Sequence, residues 1–361
     1  MMTTTAARST GSISTLTTND HDSWRSSLPA ARSVFGSVEF ASIRERHLGH
    51  RALLLIYAHR QELVGYPIFL RPLSELPFAA GHLIQAWDSV SPEYTGPIAL
   101  GDASHQTAAH FSGRVAEYCQ KERIIAEFAH LHPWNHFAHS LATPPVPDRE
   151  IVYVDLAWPE DQLWQSSFSY PCRKNIKRAL REGVRVFPAT TMKHVKEFHR
   201  IYLKTMERNK AQAHYYFPLD YFVAFFEKMP DNCRFALAEH KGQIIAGTLF
   251  LHDDTDVYSY LGGADDDFQQ VRPTNTVVYE TIQWSKQQGK QRLILGGGYQ
   301  PDDGIFRFKA SFSPLRATFH TYRRIHHPQE YEALCCNWSV HYQTTLETSR
   351  YFPAYRSVPL A

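Results

Sequence analysis

Three β-rich runs, Arg234 to Glu239, Gln243 to His252 and Asp256 to Leu261, follow one another with only short turns carrying Lys-Gly and Asp-Asp-Thr between them. Gaps that short join neighbouring antiparallel strands, so the segment reads as a β-meander. Two amphipathic helices lead into it. One is Thr191 to Arg208, with apolar residues recurring at Val195, Phe198, Ile201, Tyr202 and Met206, and the other is Leu219 to Lys228. A third helix, Asn275 to Gln288, is stopped by Gly289, and strands follow over Arg292 to Leu295 and Leu315 to Ile325. This order is an α/β plan, and in such sheets ligands enter where strands diverge.

Upstream, Ala52 to Ala58 and Glu62 to Leu70 form a hairpin, Ala108 to Lys121 a helix and Arg123 to Phe128 a strand. The Pro-rich join from Ala142 to Pro147 marks a domain boundary, and Ile151 to Leu156 is a strand beyond it. Met1 to about Arg32 is Thr/Ser/Ala-rich and reads as a disordered leader. The expected divisions are a leader over 1–32, a first domain over 33–147 and a second over 148–337, with the tail 338–361 packing on the first.

The 361 residues leave room for two domains with sizeable cores. Net charge is +2, so any nucleic-acid contact has to come from a local patch. No apolar run reaches the ~18 residues of a membrane span, and the N-terminus lacks an apolar signal core. A cytoplasmic enzyme or binding protein is expected, without membrane or DNA partners. The five cysteines are scattered and contain no C-x-x-C pair, which gives neither a disulfide framework nor a zinc motif. His130, His132, His136 and His139 crowd one stretch, but Pro133 breaks it, and a histidine-lined loop is the reading favoured over metal ligation.

Three stretches invite a functional reading. Gly296, Gly297 and Gly298 end the Leu293 to Leu295 strand where backbone must approach something closely. Lys309 follows among Phe306, Phe308 and Phe312, and a cation with apolar neighbours meets developing negative charge more strongly than one in water. The plainer reading is a helical stub with Lys309 snorkelling, and spacing alone favours it. Between Ser169 and Glu182, Arg173, Lys174, Lys177, Arg178 and Arg181 fall largely on one helix side, either a solvated face or a phosphate-contacting one. The loop from Ala86 to Pro97, with Trp87, Asp88 and Tyr94, is a surface plug or the wall of a ligand site.

Read together, several patches resemble the FemABX family of non-ribosomal peptidyltransferases, in its shorter FemX-like and BioF2-like form. They are Val34 to Phe40, Trp87-Asp88-Ser89 through Gly96-Pro97, Ala126-Glu127-Phe128 to His132-Pro133, Arg173 to Ala179, Arg208 with Tyr215-Tyr216-Phe217, Tyr260 to Gly263, and Leu295 to Gly298 leading to Phe308-Lys309 and Phe312. The resemblance implies two tandem GNAT-like α/β domains facing a common cleft, and transfer of an aminoacyl group from aminoacyl-tRNA onto an amine. The span from Lys204 to Asn232 has no room for the helical arm of FemA-type members. Phe308 and Lys309 match the family's Phe-Lys pair at the tRNA acceptor end. Arg44 falls where FemX-type enzymes place a phosphate-gripping lysine, and His130 where BioF2-like relatives carry an arginine. Asp102 follows the Gly-Pro patch as an acidic residue does in some members.

The expected site has Lys309 stabilising the tetrahedral oxyanion. Phe308, Gly296, Gly297, Gly298, Arg173, Lys174 and Lys177 hold the donor, and Arg44, Trp87, Asp88, Tyr94, Arg208, Tyr216 and Tyr260 the acceptor. Tyr260 divides evenly between cleft and core, and Tyr215 leans to core. Neither an organic cofactor nor a metal is expected. The partners are aminoacyl-tRNA and a small amine. One rival is an acyl-CoA-dependent N-acyltransferase, against which Gln269 to Thr274 offers no glycine and a proline where a pyrophosphate loop needs amides. The other is a non-catalytic binding module for a peptide or saccharide.

Overall fold

A computed structural model of the chain describes residues 11–359 apart from 80, 84, 102, 301 and 347–350. The chain divides into two units. Unit 1 takes the residues up to Pro29, then Phe35–Asp148 and Phe319 onward, and unit 2 takes Ala30–Val34 and Arg149–Thr318.

Unit 1 begins with strand β1 (Ser12–Thr17) and helices α1 (His21–Ser27) and α2 (Val38–Leu48). Strands β2 (Arg51–His59), β3 (Glu62–Pro72), β4 (Trp87–Val90) and the two-residue β5 (Ile98–Ala99) follow. Helix α3 (His105–Lys121) leads to β6 (Ile124–Leu131). A capping box between Ser104 and Thr107 starts α3 by satisfying amide donors at its first turn. Its apolar face, with Ala108, Phe111, Val115 and Cys119, packs on Leu53, Leu55, Tyr66 and Ile68 of the hairpin.

Unit 2 opens on strand β7 (Val146–Asp155), which belongs to it from Arg149. A short turn α4 (Glu160–Gln162) and helix α5 (Tyr170–Arg181) precede β8 (Arg185–Pro188), and α6 (Met192–Arg208) and α7 (Leu219–Lys228) come next. The meander is β9 (Cys233–His240), β10 (Gln243–His252) and β11 (Asp256–Ala264). Then come α8 (Pro273–Gln287), β12 (Arg292–Gly296) and α9 (Gly304–Ala310). Strand β13 (Arg316–Ile325), from Phe319, and helix α10 (Pro328–Tyr342) return the chain to unit 1.

The two sheets repeat one plan. In unit 1 the order is β1-β2-β3-β4-β6-β13, antiparallel except for β4 beside β6. In unit 2 it is β7-β12-β11-β10-β9-β8, antiparallel except for β11 beside β12. A parallel pair needs a crossover, and α3 and α8 supply it. Each unit is thus a meander, a crossover helix and a parallel strand.

The parallel pairs differ in extent. In unit 1 the pairing persists beyond β4, because Thr95 bridges Leu131 and the Ser91 amide donates to the Phe128 carbonyl. In unit 2 only Asp256, Val257 and Tyr258 pair with Arg292, Leu293 and Ile294. From Ser259 on, β11 continues with β10 while the chain after Gly296 leaves it.

Two expectations on boundaries differ from the structure. The segment read as a disordered leader forms β1, paired from Ser12 to Thr17 with β2, and α1, whose Trp24 is wholly buried and donates its indole N–H to the Gly36 carbonyl at 3.0 Å. Residues 1–10 lie outside the described residues. The polar face of an edge strand accounts for the misreading, since only one side of β1 meets protein. The second domain, expected to reach residue 337, ends at Thr318, because Phe319 to Ile325 complete the unit 1 sheet against β6.

Candidate active site

The Gly296 to Pro314 stretch forms one closed loop and helix in unit 2; Pro301 lies outside the described residues. Gly296 ends β12 at φ 80°, a left-handed conformation in which a side chain is strained. A Cβ on Gly298 would stand 2.5 Å from the Asp303 carboxylate, so only glycine lets the chain pass over that group. Asp303 is the N-cap of α9 and accepts from the amides of Phe306 at 2.7 Å, Tyr299 at 2.7 Å and Gln300 at 2.9 Å. Those donors hold its carboxyl below the usual carboxylate range.

Lys309 closes the same loop from the other end. Its Nζ donates to the Gly297 carbonyl at 2.6 Å. Burial disfavours the ammonium form and brings its pKa down to about 8, with the Asp303 charge acting in the opposite direction. Phe306 and Phe308 lean on the unit 2 core, and the Phe308 ring meets the buried Phe312 edge-on at 5.4 Å. Lys309 therefore does not snorkel to solvent. It is a cation held at the end of β12, where β11 and β12 part.

The start of α5 adjoins this helix. The Ser169 amide donates to the Ser311 carbonyl at 2.8 Å, and the Ser167 hydroxyl to the Phe312 carbonyl at 2.8 Å. Arg173, expected to grip the donor, instead donates to the carbonyls of Trp164, Gln165 and Phe168, the orphan acceptors ending the preceding turn. Lys174 and Lys177 remain exposed, with the Lys177 Nζ 5.7 Å from the Trp164 ring centre, and Arg178 and Arg181 extend the same exposed face.

The other candidates in unit 2 lie along α6 and β11. Arg208 pairs with Asp266 and donates to the Ala264 carbonyl at 3.2 Å. The Tyr260 hydroxyl bonds that of Tyr221 at 2.7 Å, and its ring meets Phe225. Tyr216 is 39% exposed, and Tyr215, expected in the core, is 38% exposed with its carbonyl accepting from the Tyr202 hydroxyl. The turn before α8 is acidic. Asp265 and Asp267 pair with Lys204 at 2.6 and 3.2 Å, and Arg272 adopts a left-handed conformation ahead of Pro273.

In unit 1 the residues expected to hold the acceptor have partners within the unit. Asp88, wholly buried, takes Arg71 Nε at 2.5 Å on one oxygen, and Arg356 Nε at 2.5 Å and the Tyr355 hydroxyl at 3.3 Å on the other. That ligation corrects the assignment of Asp88 to an acceptor. Trp87 packs against the unit 1 core, and Tyr94 meets Phe35, Phe319 and His132. Arg44 reaches Glu93 at 3.4 Å and lies over the Phe40 ring, so a phosphate would compete with a carboxylate there. His130 is half-buried beside Phe128, and desolvation lowers its pKa. Asp102 lies outside the described residues.

The structure thus gathers Lys309, Phe308, Gly296, Gly297 and Gly298 in one loop and helix, whose end meets the residues leading into α5 at Ser167 and Ser169. The residue missed in the sequence is Asp303, although an aspartate just ahead of Gly304-Ile305-Phe306 is an N-cap signal.

Residues 166–310 match the family described as acetyltransferase (GNAT) domain, which spans α5 through α9. None of the curated proteins matches the chain. Among solved structures, that of FemX superposes with a TM-score of 0.69 over 89% of this chain and 99% of its own, at 12% identity. A conserved protein of unknown function from Bacteroides thetaiotaomicron superposes with a TM-score of 0.55 over 86% of this chain and 98% of its own, at 11% identity. Likeness at such low identity speaks to the fold, and the repeated meander–crossover plan agrees with it. In fold the chain is FemX-like, a mixed α/β protein of GNAT-type units in tandem, and by the domain it carries it is an acyltransferase.

Proposed function

We propose that the chain moves an amino acid from aminoacyl-tRNA onto the amine of a small peptide, an amino-acid derivative or a cell-wall or natural-product precursor. The observation that carries this reading is Lys309, a desolvated cation fixed on the Gly297 carbonyl where β11 and β12 part. A neutral amine attacks the ester carbonyl, the C–O bond to the ribose breaks, and an amide forms. The Lys309 ammonium stabilises the tetrahedral oxyanion. The amine's proton passes through solvent or the substrate to the vicinal ribose hydroxyl, as that hydroxyl gives its own proton to the departing ribose oxygen. With the Tyr299 and Gln300 amides bound to Asp303, any backbone helper is confined to Gly296, Gly297 and Gly298. Charged tRNA as co-substrate implies a cytoplasmic reaction.

Acyl-CoA is the second reading, favoured by the acetyltransferase description of the matched domain. The turn before α8 speaks against it in unit 2. Gln269 to Thr274 has no glycine, Pro273 removes one amide donor, and Asp265, Asp266 and Asp267 put negative charge just ahead of it. Incubation with a pool of charged tRNAs, and separately with acyl-CoAs, against candidate amines distinguishes the two. RNase abolishes product under the first reading; product that needs only CoA thioesters overturns it.

The basic face gives a narrower test. Phosphate contacts release counterions, so replacing Lys174 and Lys177 by Glu is expected to weaken tRNA binding and flatten its salt dependence by a log–log slope of about one per lost contact. An unchanged slope, measured by filter binding across salt concentrations, returns this face to the role of a solvated surface.

A further inference from the structure

Unit 1 buries a thiol, a carboxylate and an imidazole together. Cys119 comes from the last turns of α3, Glu127 from β6 and His326 from the residue after β13, and they are 1%, 2% and 7% exposed. Their Sγ, carboxylate oxygen and ring nitrogen lie within 4.8 Å of one another. The surroundings are apolar, with Val115, Ile124, Ala129 and Leu131 in the same core. Among the three groups the bond present joins His326 Nε2 to Glu127 Oε2 at 2.9 Å.

A fourth polar group faces the cluster. Tyr66 on β3 is wholly buried and its hydroxyl has no hydrogen-bond partner. A core that removes four polar side chains from water while joining two of them carries a desolvation cost without the compensation buried groups normally find. A divalent cation supplies it, because its charge offsets the carboxylate and the deprotonated thiol and binds the imidazole lone pair.

We propose that Cys119, Glu127 and His326 bind a structural divalent metal ion of zinc type, tying α3, β6 and the segment after β13 together within unit 1. The donor set of one sulfur, one nitrogen and one oxygen suits a borderline-soft ion, and Tyr66 stands beside the fourth position. Metal bonds of ~2.0–2.3 Å set tetrahedral ligand atoms roughly 3.3–3.8 Å apart, so separations of up to 4.8 Å close by about 1 Å and the 2.9 Å His326–Glu127 contact opens slightly, both through side-chain rotation. On binding, the Cys119 proton leaves to solvent and no other bond is broken. Full burial makes the role structural, and the proposal stands apart from the tRNA reading.

The test uses the full chain, stripped with a chelator and titrated with Co²⁺. One equivalent is expected to give the thiolate-to-cobalt absorption and visible bands of a tetrahedral site, and Zn²⁺ to bleach them at the same stoichiometry. Cys119→Ser should lose the thiolate band, His326→Gln should weaken binding, and Tyr66→Phe should weaken it by ~10–100-fold as an outer partner does. Cys233→Ser, at another thiol, should leave the spectrum intact. Absence of a cobalt spectrum in the wild-type chain overturns the site, as does a thiolate band that survives in Cys119→Ser. Should that variant not fold, X-ray absorption on the zinc-treated wild type decides. One sulfur among the ligands upholds the assignment, and none overturns it.

Discussion

Lys309→Met is expected to lower kcat by ~10²–10³, the usual consequence of removing one donor from a developing oxyanion. The pH profile supplies the more specific signature. An α-amino nucleophile becomes competent as pH rises through ~7.7–8.0. Lys309 acts as an ammonium and loses its charge as pH rises through about 8. The two requirements oppose each other, so the wild-type kcat/KM profile should be a bell centred near pH 8. In the Met variant the descending limb should disappear, leaving a low rate that climbs to a plateau. Stability gives a control. The folded-state pKa lies below the ordinary lysine value of ~10.4, so the fold disfavours the charged form at every pH below about 8 and this penalty fades between about 8 and 10.4. The Tm of the wild type relative to Lys309→Met should therefore rise across that window. Full activity in the Met variant sinks the catalytic role.

The second large effect is one of stability. Asp88→Asn leaves the Arg71 and Arg356 guanidinium groups, 12% and 13% exposed, close together without their shared carboxylate. Breaking a buried ion pair from one side costs about 3–5 kcal/mol, which corresponds to a fall in Tm on the order of 10 °C. Burial of His50 beside them, with the charges of both arginines adding to it, brings its pKa down to about 4. Arg356→Met should be destabilising too, and the double variant less so than the sum, because the two residues share one interaction. Turnover per folded molecule should be unchanged. A variant with normal Tm and raised KM for the amine would restore Asp88 to the acceptor site.

The regular elements were largely legible because their signals are local. Period-two runs with two- and three-residue turns gave β9 to β11, and the 3.6-residue recurrence of Val195, Phe198, Ile201 and Tyr202 gave α6. What distance decides was not legible. The Asp88 carboxylate meets Arg356 across 268 positions, and Cys119, Glu127 and His326 assemble from three elements without a linear motif. The basic run of α5 reads as one patch, yet Arg173 turns inward to three carbonyls while Lys174 and Lys177 stay out. Trp24 lay unnoticed in a polar segment because a single buried ring leaves no periodicity. The glycines after β12 announced close backbone approach, but the partner they admit, Asp303, emerged only with the loop closed.

The return of Phe319 onward to unit 1 bears on how the chain is made. Synthesis delivers all of Arg149–Thr318 before the strand that completes the first sheet and before Arg356 reaches Asp88. Domains generally fold as units during synthesis, the earlier one first. Here that order inverts: the second unit is complete while the first still waits with an uncovered sheet edge along β6 and a half-neutralised Asp88. A nascent chain arrested shortly after Thr318 should be protease-resistant over unit 2 and open over unit 1, a window in which chaperone contact falls on the N-terminal half.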